Sequence, residues 1–308
     1  MSGLDPMLST AELPLANEFY PLGFPLQFRT NAQELMTAAE ASWGEYPKRF
    51  DRPPLRLDAL AAGPGHPNGD PVWRARGAIL TVVTDRGNFA SADLNDGIAA
   101  CWTTAAADPD WVRFHFLDGL CYSMLAHRDL TPVHAACVVS PEGRGLLLCG
   151  PSGAGKSSLT YAASLCGWTI VSDDAVFLVR AQHGFVCLGR PFRIRLRDTA
   201  VHLFPQLAGV PVVTEPNGKR TLFVPTPRFA LDAEVQGIVF LQRTETQAPS
   251  MIRVDGEAAA ARLLADLPRF EVHQEHEACL RRLCTRPAVE LTYSNPEAAL
   301  QALRKEFA

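Results

Sequence analysis

The stretch GLLLCGPSGAGKSSLTYAASLC, residues 145–166, decides the fold. It opens with an apolar run, Gly145 to Cys149, passes through a loop holding Gly150, Gly153 and Gly155, and ends in a helical pattern from Lys156 to Cys166. A short apolar run of this kind reads as a strand. Gly167 follows and suits the C′ position of the helix, where the backbone turns left-handed. Strand, glycine loop and helix, in that order, form the frame of a phosphate-binding loop.

The loop from Gly150 to Ser157 matches GxxxxGK[ST]. By average residue frequencies, that pattern arises by chance in roughly one chain of this length in a hundred. Glycines let the backbone wrap an anion with its N–H groups pointing inward, and the helix start adds its positive end. The expected nucleotide-binding residues are therefore Gly150, Pro151, Ser152, Gly153, Ala154, Gly155, Lys156, Ser157 and Ser158. Lys156 is placed to neutralise the β- and γ-phosphates and Ser157 to ligate Mg²⁺. ATP and Mg²⁺ are the expected cofactors.

Seventeen residues after Lys156, Asp173 and Asp174 close the apolar run Thr169 to Ser172. Acidic residues at the end of a strand beside a phosphate loop commonly face the metal. Neighbouring strand residues point to opposite faces. Both carboxylates can act in one site only if the chain bends after the strand, or if one acts through its backbone. A kinase needs one carboxylate for the metal and another to accept the proton of the attacking hydroxyl. An Asp pair with no Glu after it leans towards transfer to a hydroxyl. A nucleotide-binding switch or slow NTPase, and a kinase of a free small hydroxyl compound, are the alternatives.

Val133-His134-Ala135, then Gly150 to Ser157, then Ser172-Asp173-Asp174 resemble, in order and spacing, the catalytic domain of HPr kinase/phosphorylase and its relatives in the phosphoenolpyruvate carboxykinase superfamily. The resemblance is tight from about Thr131 to Leu178. It implies an α/β, P-loop, HPr-kinase-like catalytic domain that phosphorylates a serine of a peptide or protein. It further implies Lys156 and Ser157 on phosphate and Mg²⁺, Asp173 as general base, Asp174 as metal ligand and His134 near the transferred phosphate. The resembled enzymes form oligomers, so a homo-oligomer is implied. The glycine-rich acidic region that follows the Asp pair in the bifunctional enzymes is not found here, which argues against phosphorylase activity. The chain is more similar to HPr-kinase-related proteins of peptide-modification gene clusters, one group of which phosphorylates a C-terminal serine of lasso-peptide precursors.

Outward from this core, the pattern suggests a smaller mixed α+β N-terminal domain, residues 1–129, before the catalytic domain, residues 130–308. The first 30 residues, with Pro6, Pro14, Pro21 and Pro25, read as an irregular lead-in. Thr30 or Asn31 is expected to cap a helix reaching Trp43. Tyr46 to Pro71 reads as a surface loop, Ala78 to Thr84 as a strand, and Asp85 to Asn88 as a turn before one or two more strands up to Ala107. A helix fits Trp111 to Ala126, with Phe114, Leu117, Leu120, Cys121, Met124 and Leu125 on its apolar face.

Further on, strands are expected at Ala175 to Val179, Pro191 to Leu196, Thr221 to Val224, Val235 to Leu241 and Val289 to Tyr293. Pro216 to Lys219 reads as a hairpin turn. Helices are expected near Glu257 to Leu267 and His276 to Leu283, and a last one opens with Asn295 as N-cap and Pro296 at N1. Arg193, Arg195 and Arg197 fall on one strand face, suited to an anion or to solvent. Lys219 and Arg220 could reach a nucleotide or merely sit in the turn.

Of 308 residues, 47% are hydrophobic and 20% charged, as expected of a chain with a sizeable core. A net charge of −4 argues against a general nucleic-acid binder. No run is apolar enough for a membrane span, and no signal-peptide pattern precedes Arg29, so a cytoplasmic location is expected. The 8 cysteines have no CxxC spacing; Cys137, Cys149, Cys166 and Cys187 lie in apolar stretches and read as reduced core thiols. His273 and His276 read as residues of a solvated helix rather than a zinc site.

Overall fold

The structure is a computed structural model that describes residues 12–180, 184–245, 248–267 and 274–308. The chain is mixed α/β and divides into two compact units, Met1–Arg128 and Asp129–Ala308.

The first unit contains β1 (Leu15–Phe19), β2 (Leu26–Thr30), α1 (Gln33–Trp43), β3 (Leu55–Ala61), β4 (Val72–Arg76), β5 (Ile79–Asp85), β6 (Asn88–Asp93) and β7 (Ile98–Thr103). These strands form one sheet in the order β1-β2-β3-β7-β6-β5-β4. A helical run closes the unit: α2 (Pro109–Val112), a π turn at Arg113–Leu117, and α3 (Asp118–Arg128).

Several expectations fail here. The lead-in before residue 30 holds two paired strands, because its prolines fall between or outside them. The expected surface loop contains β3, a strand paired on both sides. Its charged residues disguise it, but Asp58 is buried and accepts bonds from Nε and Nη2 of Arg29, each at 2.7 Å. Neither Thr30 nor Asn31 is the N-cap of α1; Ala32 is, with no side-chain cap. Asn31 instead bonds the backbone of Ala61, donating at 3.1 Å and accepting at 2.8 Å. The π turn also breaks the helical register, so Phe114 is exposed and Phe116 takes the buried position.

The second unit begins with β8 (Leu130–Val133), β9 (Ala135–Val139), β10 (Gly145–Cys149), α4 (Lys156–Leu165), β11 (Thr169–Ser172), β12 (Val176–Val179) and β13 (Val186–Leu188). A small sheet, β14-β16-β15, follows: β14 is Arg193–Arg197, β15 Val212–Thr214 and β16 Arg220–Pro225. Then come β17 (Asp232–Arg243), β18 (Ser250–Val254), α5 (Gly256–Ala265), α6 (Gln274–Leu283), β19 (Ala288–Tyr293) and α7 (Pro296–Glu306). Asn295 caps α7, accepting the N–H of Ala298 at 3.0 Å.

Strand β17 organises the unit. Asp232 to Glu234 pair antiparallel with β13, and the rest of the strand runs parallel to β10 on one side and β19 on the other. Alternate residues of β10 enter two cores. Leu146 and Leu148 pack with α4 and α7; Leu147 and Cys149 pack with α5 and α6. Each fully buried Leu contributes about 1.5–3 kcal/mol relative to exposure. Burial on both faces is why the run carries no polar alternation. Helix α4 ends as its sequence suggests: Gly167 has φ of 79°, and the Trp168 N–H donates to the Ala163 carbonyl at 3.0 Å. No helix of the described residues is long and apolar enough to cross a membrane.

Two smaller expectations need correcting. Cys166 is exposed, at the end of α4, while the other free cysteines are buried. His276 is buried in α6 rather than solvated, and His273 lies outside the described residues. Among the described residues, no group of three or more His, Cys, Asp or Glu could hold a metal.

Candidate functional site

The C-terminal ends of β10, β11 and β17 converge on one cleft of about 580 Å³. Ligands of open α/β sheets bind at such ends. The glycine loop follows β10, the Asp pair follows β11, and Arg243 and Tyr293 end β17 and β19. His134 arrives from a different direction. Strand β9 is antiparallel to β10 with Ala135 opposite Cys149, so the preceding residue, His134, sits beside the loop's first glycine.

Within the loop, Gly150, Gly153 and Gly155 have φ of 148°, 93° and 97°. All three conformations favour glycine. Gly155 has a second reason: a Cβ there would run into the Tyr293 hydroxyl. The Ala154 N–H donates to the Pro151 carbonyl at 3.1 Å, and the Ala154 side chain packs into the core. Gly150 and Ala154 thus shape the loop, while Pro151, Ser152, Gly153, Gly155, Lys156, Ser157 and Ser158 line the cleft. Lys156 is mostly buried; its Nζ donates to the Gly150 carbonyl at 2.5 Å. Burial lowers its pKa, which the nearby Asp174 opposes.

The chain does bend after β11. The Ser172 hydroxyl donates to the Ala175 carbonyl at 2.6 Å, and both carboxylates between them line the cleft. Their surroundings differ. Asp173 is 5% exposed, and burial pushes its carboxyl up to about 6, against the pull of Arg195's charge and backbone N–H. Asp174 is more open to the cleft. A bond from His134 is the main cause holding its carboxyl well below the usual range; burial opposes it, and Arg195 and Lys156 add to it. His134 Nε2 lies 3.5 Å from Asp174 Oδ1.

The arginine stripe of β14 divides. Ile194 and Leu196 are buried, as the alternation requires. Arg195 and Arg197 line the cleft, whereas Arg193 stacks over the Phe223 ring at 4.5 Å. Arg195 bonds Asp174 and lies 3.5 Å from Glu215. Lys219 also lines the cleft, while Arg220 pairs with Asp198 at 2.7 Å. Glu215, Thr221 and Arg243 are cleft residues that sequence reasoning missed. A faint signal for Glu215 existed: it immediately precedes the Pro-Asn-Gly turn, so it had to sit at the mouth of that hairpin.

The donor set suits a hard cation. Asp174 and Ser157 offer a carboxylate and a hydroxyl in one cleft, the few protein oxygens that Mg²⁺ takes when phosphate and water supply the rest.

No protein-family model matches the chain, and no curated protein matches it. Among solved structures, the HPr(Ser) kinase/phosphatase from Coxiella burnetii is similar, with 12% identity and a TM-score of 0.32, over 57% of this chain and 90% of that one.

Proposed function

We propose that the chain is an ATP- and Mg²⁺-dependent kinase that transfers the terminal phosphoryl group to a hydroxyl, a serine of a peptide or protein, without phosphorylase activity. One observation carries this reading. Two adjacent carboxylates turn into a single cleft beside a glycine loop and its lysine, one buried against a backbone N–H and the other open to the cleft. Carboxylates with environments this different suit different roles.

In this reading, Lys156 and the backbone N–H groups of the loop residues that line the cleft, Ser152, Gly153 and Gly155 to Ser158, hold the phosphates. Asp174 and Ser157 hold Mg²⁺, which would offset charge on the phosphate oxygens. Asp173 accepts the proton as the acceptor's O–H bond breaks and its oxygen bonds to phosphorus; the leaving group is ADP. His134 keeps Asp174 ionised and oriented. The unit from residue 130 onward is then an HPr-kinase-like catalytic domain, with a cytoplasmic location and a homo-oligomeric assembly as companion expectations.

The test is mass spectrometry of peptides encoded beside this gene after incubation with the protein, ATP and Mg²⁺. A phosphorylated serine supports the proposal. Phosphorylation of free small hydroxyl compounds alone moves the acceptor to a metabolite. ATP-dependent changes in partner binding without any phosphorylated hydroxyl replace the kinase with a switch.

A further inference from the structure

We propose that Arg195 is a latch on the metal site: its guanidinium holds one Asp174 oxygen while His134 faces the other, so a divalent cation gains the carboxylate only by displacing the guanidinium. The inference rests on the kinase reading's assignment of Asp174 to the metal.

Both oxygens of Asp174 are engaged. Oδ1 faces His134 Nε2 at 3.5 Å, and Oδ2 bonds Arg195 Nη2. A guanidinium and a dication cannot share one carboxylate oxygen without strong like-charge repulsion. Metal affinity is therefore the intrinsic affinity reduced by the fraction of molecules in which the latch is closed.

The geometry lets the latch open without disturbing the proposed base. Arg195 holds Asp173 through its backbone N–H at 2.7 Å, and that bond does not depend on the side chain's rotamer. The backbone itself is fixed by the β14–β16 pairing, where Arg195 faces Phe223. On release, the guanidinium has a place to go. Glu215 Oε1 lies 3.5 Å from Arg195 Nη1, and the other Glu215 oxygen accepts the Thr221 hydroxyl at 2.8 Å. A planar fork can span two carboxylates in this way, and a lysine ammonium cannot.

The test is titration of the nucleotide-free protein with Mn²⁺, reading free Mn²⁺ by electron paramagnetic resonance. Arg195→Ala is expected to bind Mn²⁺ about tenfold to a hundredfold more tightly than the parent, the loss of one charge-assisted contact. Arg195→Lys keeps the charge but loses the fork, and is expected to fall between the parent and the alanine variant. It also serves if alanine disturbs folding. Arg197→Ala removes a cation from the same strand and cleft without touching Asp174, and is expected to change affinity less than about threefold. Parent-like affinity in both Arg195 variants overturns the latch, as does an equal gain in Arg197→Ala. Asp174→Asn separates the two levels. If it binds Mn²⁺ as the parent does, the metal assignment itself fails; if it loses binding while the Arg195 variants are unchanged, only the latch fails.

Discussion

The Asp173 carboxylate accepts the backbone N–H of Arg195 at 2.7 Å. This bond ties the buried carboxylate of one strand end to the main chain of another sheet, so its position is set by backbone rather than by a second flexible side chain. A proton acceptor needs that fixity, because reach to the reacting hydroxyl must hold within hydrogen-bond distance.

Replacing Asp173 with Asn preserves size and the acceptor oxygen for the Arg195 N–H but removes the basic lone pair. Phosphoryl transfer is expected to fall by roughly 10²–10⁴ with ATP affinity nearly unchanged. Single-turnover product mass and direct ATP titration check the two halves. Transfer at the parent rate removes Asp173 from the base role.

The same substitution makes a stability prediction in metal-free buffer. Folding raises the Asp173 carboxyl from its ordinary 3.8 to about 6. Between those pH values the folded chain keeps a proton that the unfolded chain has released, so this group's contribution falls as pH rises through the window. Above it, the ionised buried carboxylate costs up to about 3 kcal/mol. Asp173→Asn should therefore unfold at a higher temperature than the parent at pH 8, and the gap should close towards pH 4. Equal melting curves at pH 8 would contradict the burial argument.

Asp174→Asn puts a neutral amide where a hard cation needs a carboxylate. The Mg²⁺ concentration for half-maximal turnover is expected to rise, while nucleotide binding without metal changes less. A Mg²⁺ curve that coincides with the parent's would take Asp174 out of the metal site.

Lys156→Ala is expected to abolish nucleotide turnover, since its ammonium is the charge aimed at the β- and γ-phosphates. Removing it also leaves the Gly150 carbonyl without its 2.5 Å donor. A circular dichroism comparison should therefore accompany the assay to show the fold intact. Turnover within a factor of two of the parent ends the phosphate-loop assignment.

The strand–loop–helix from Gly145 to Leu165, the residues of the loop, and the closeness of Asp173 and Asp174 to a strand end were legible without any structure. These are local features. Glycine conformations, the buried apolar run and the helix stop at Gly167 depend on neighbours a few residues away, and periodicity records them. The hairpin at Pro216 to Lys219 and the Asn295 cap were legible for the same reason.

Strand β3 was not legible, because one of the two arginines that make Asp58 tolerable, Arg29, comes from another strand, and only Arg56 lies nearby in the sequence. The register of Phe114 and Phe116 was missed because a π turn shifts a helix without any residue type announcing it. Arg195 and Glu215 join the Asp pair, and Tyr293 closes over Gly155, only once the sheets are assembled. Those contacts join segments 20 to 140 residues apart in the chain, roughly, and are set by strand register and sheet crossing. The carboxylate roles follow from them, since burial and a foreign backbone N–H, not the Asp-Asp dipeptide, make Asp173 and Asp174 unlike each other.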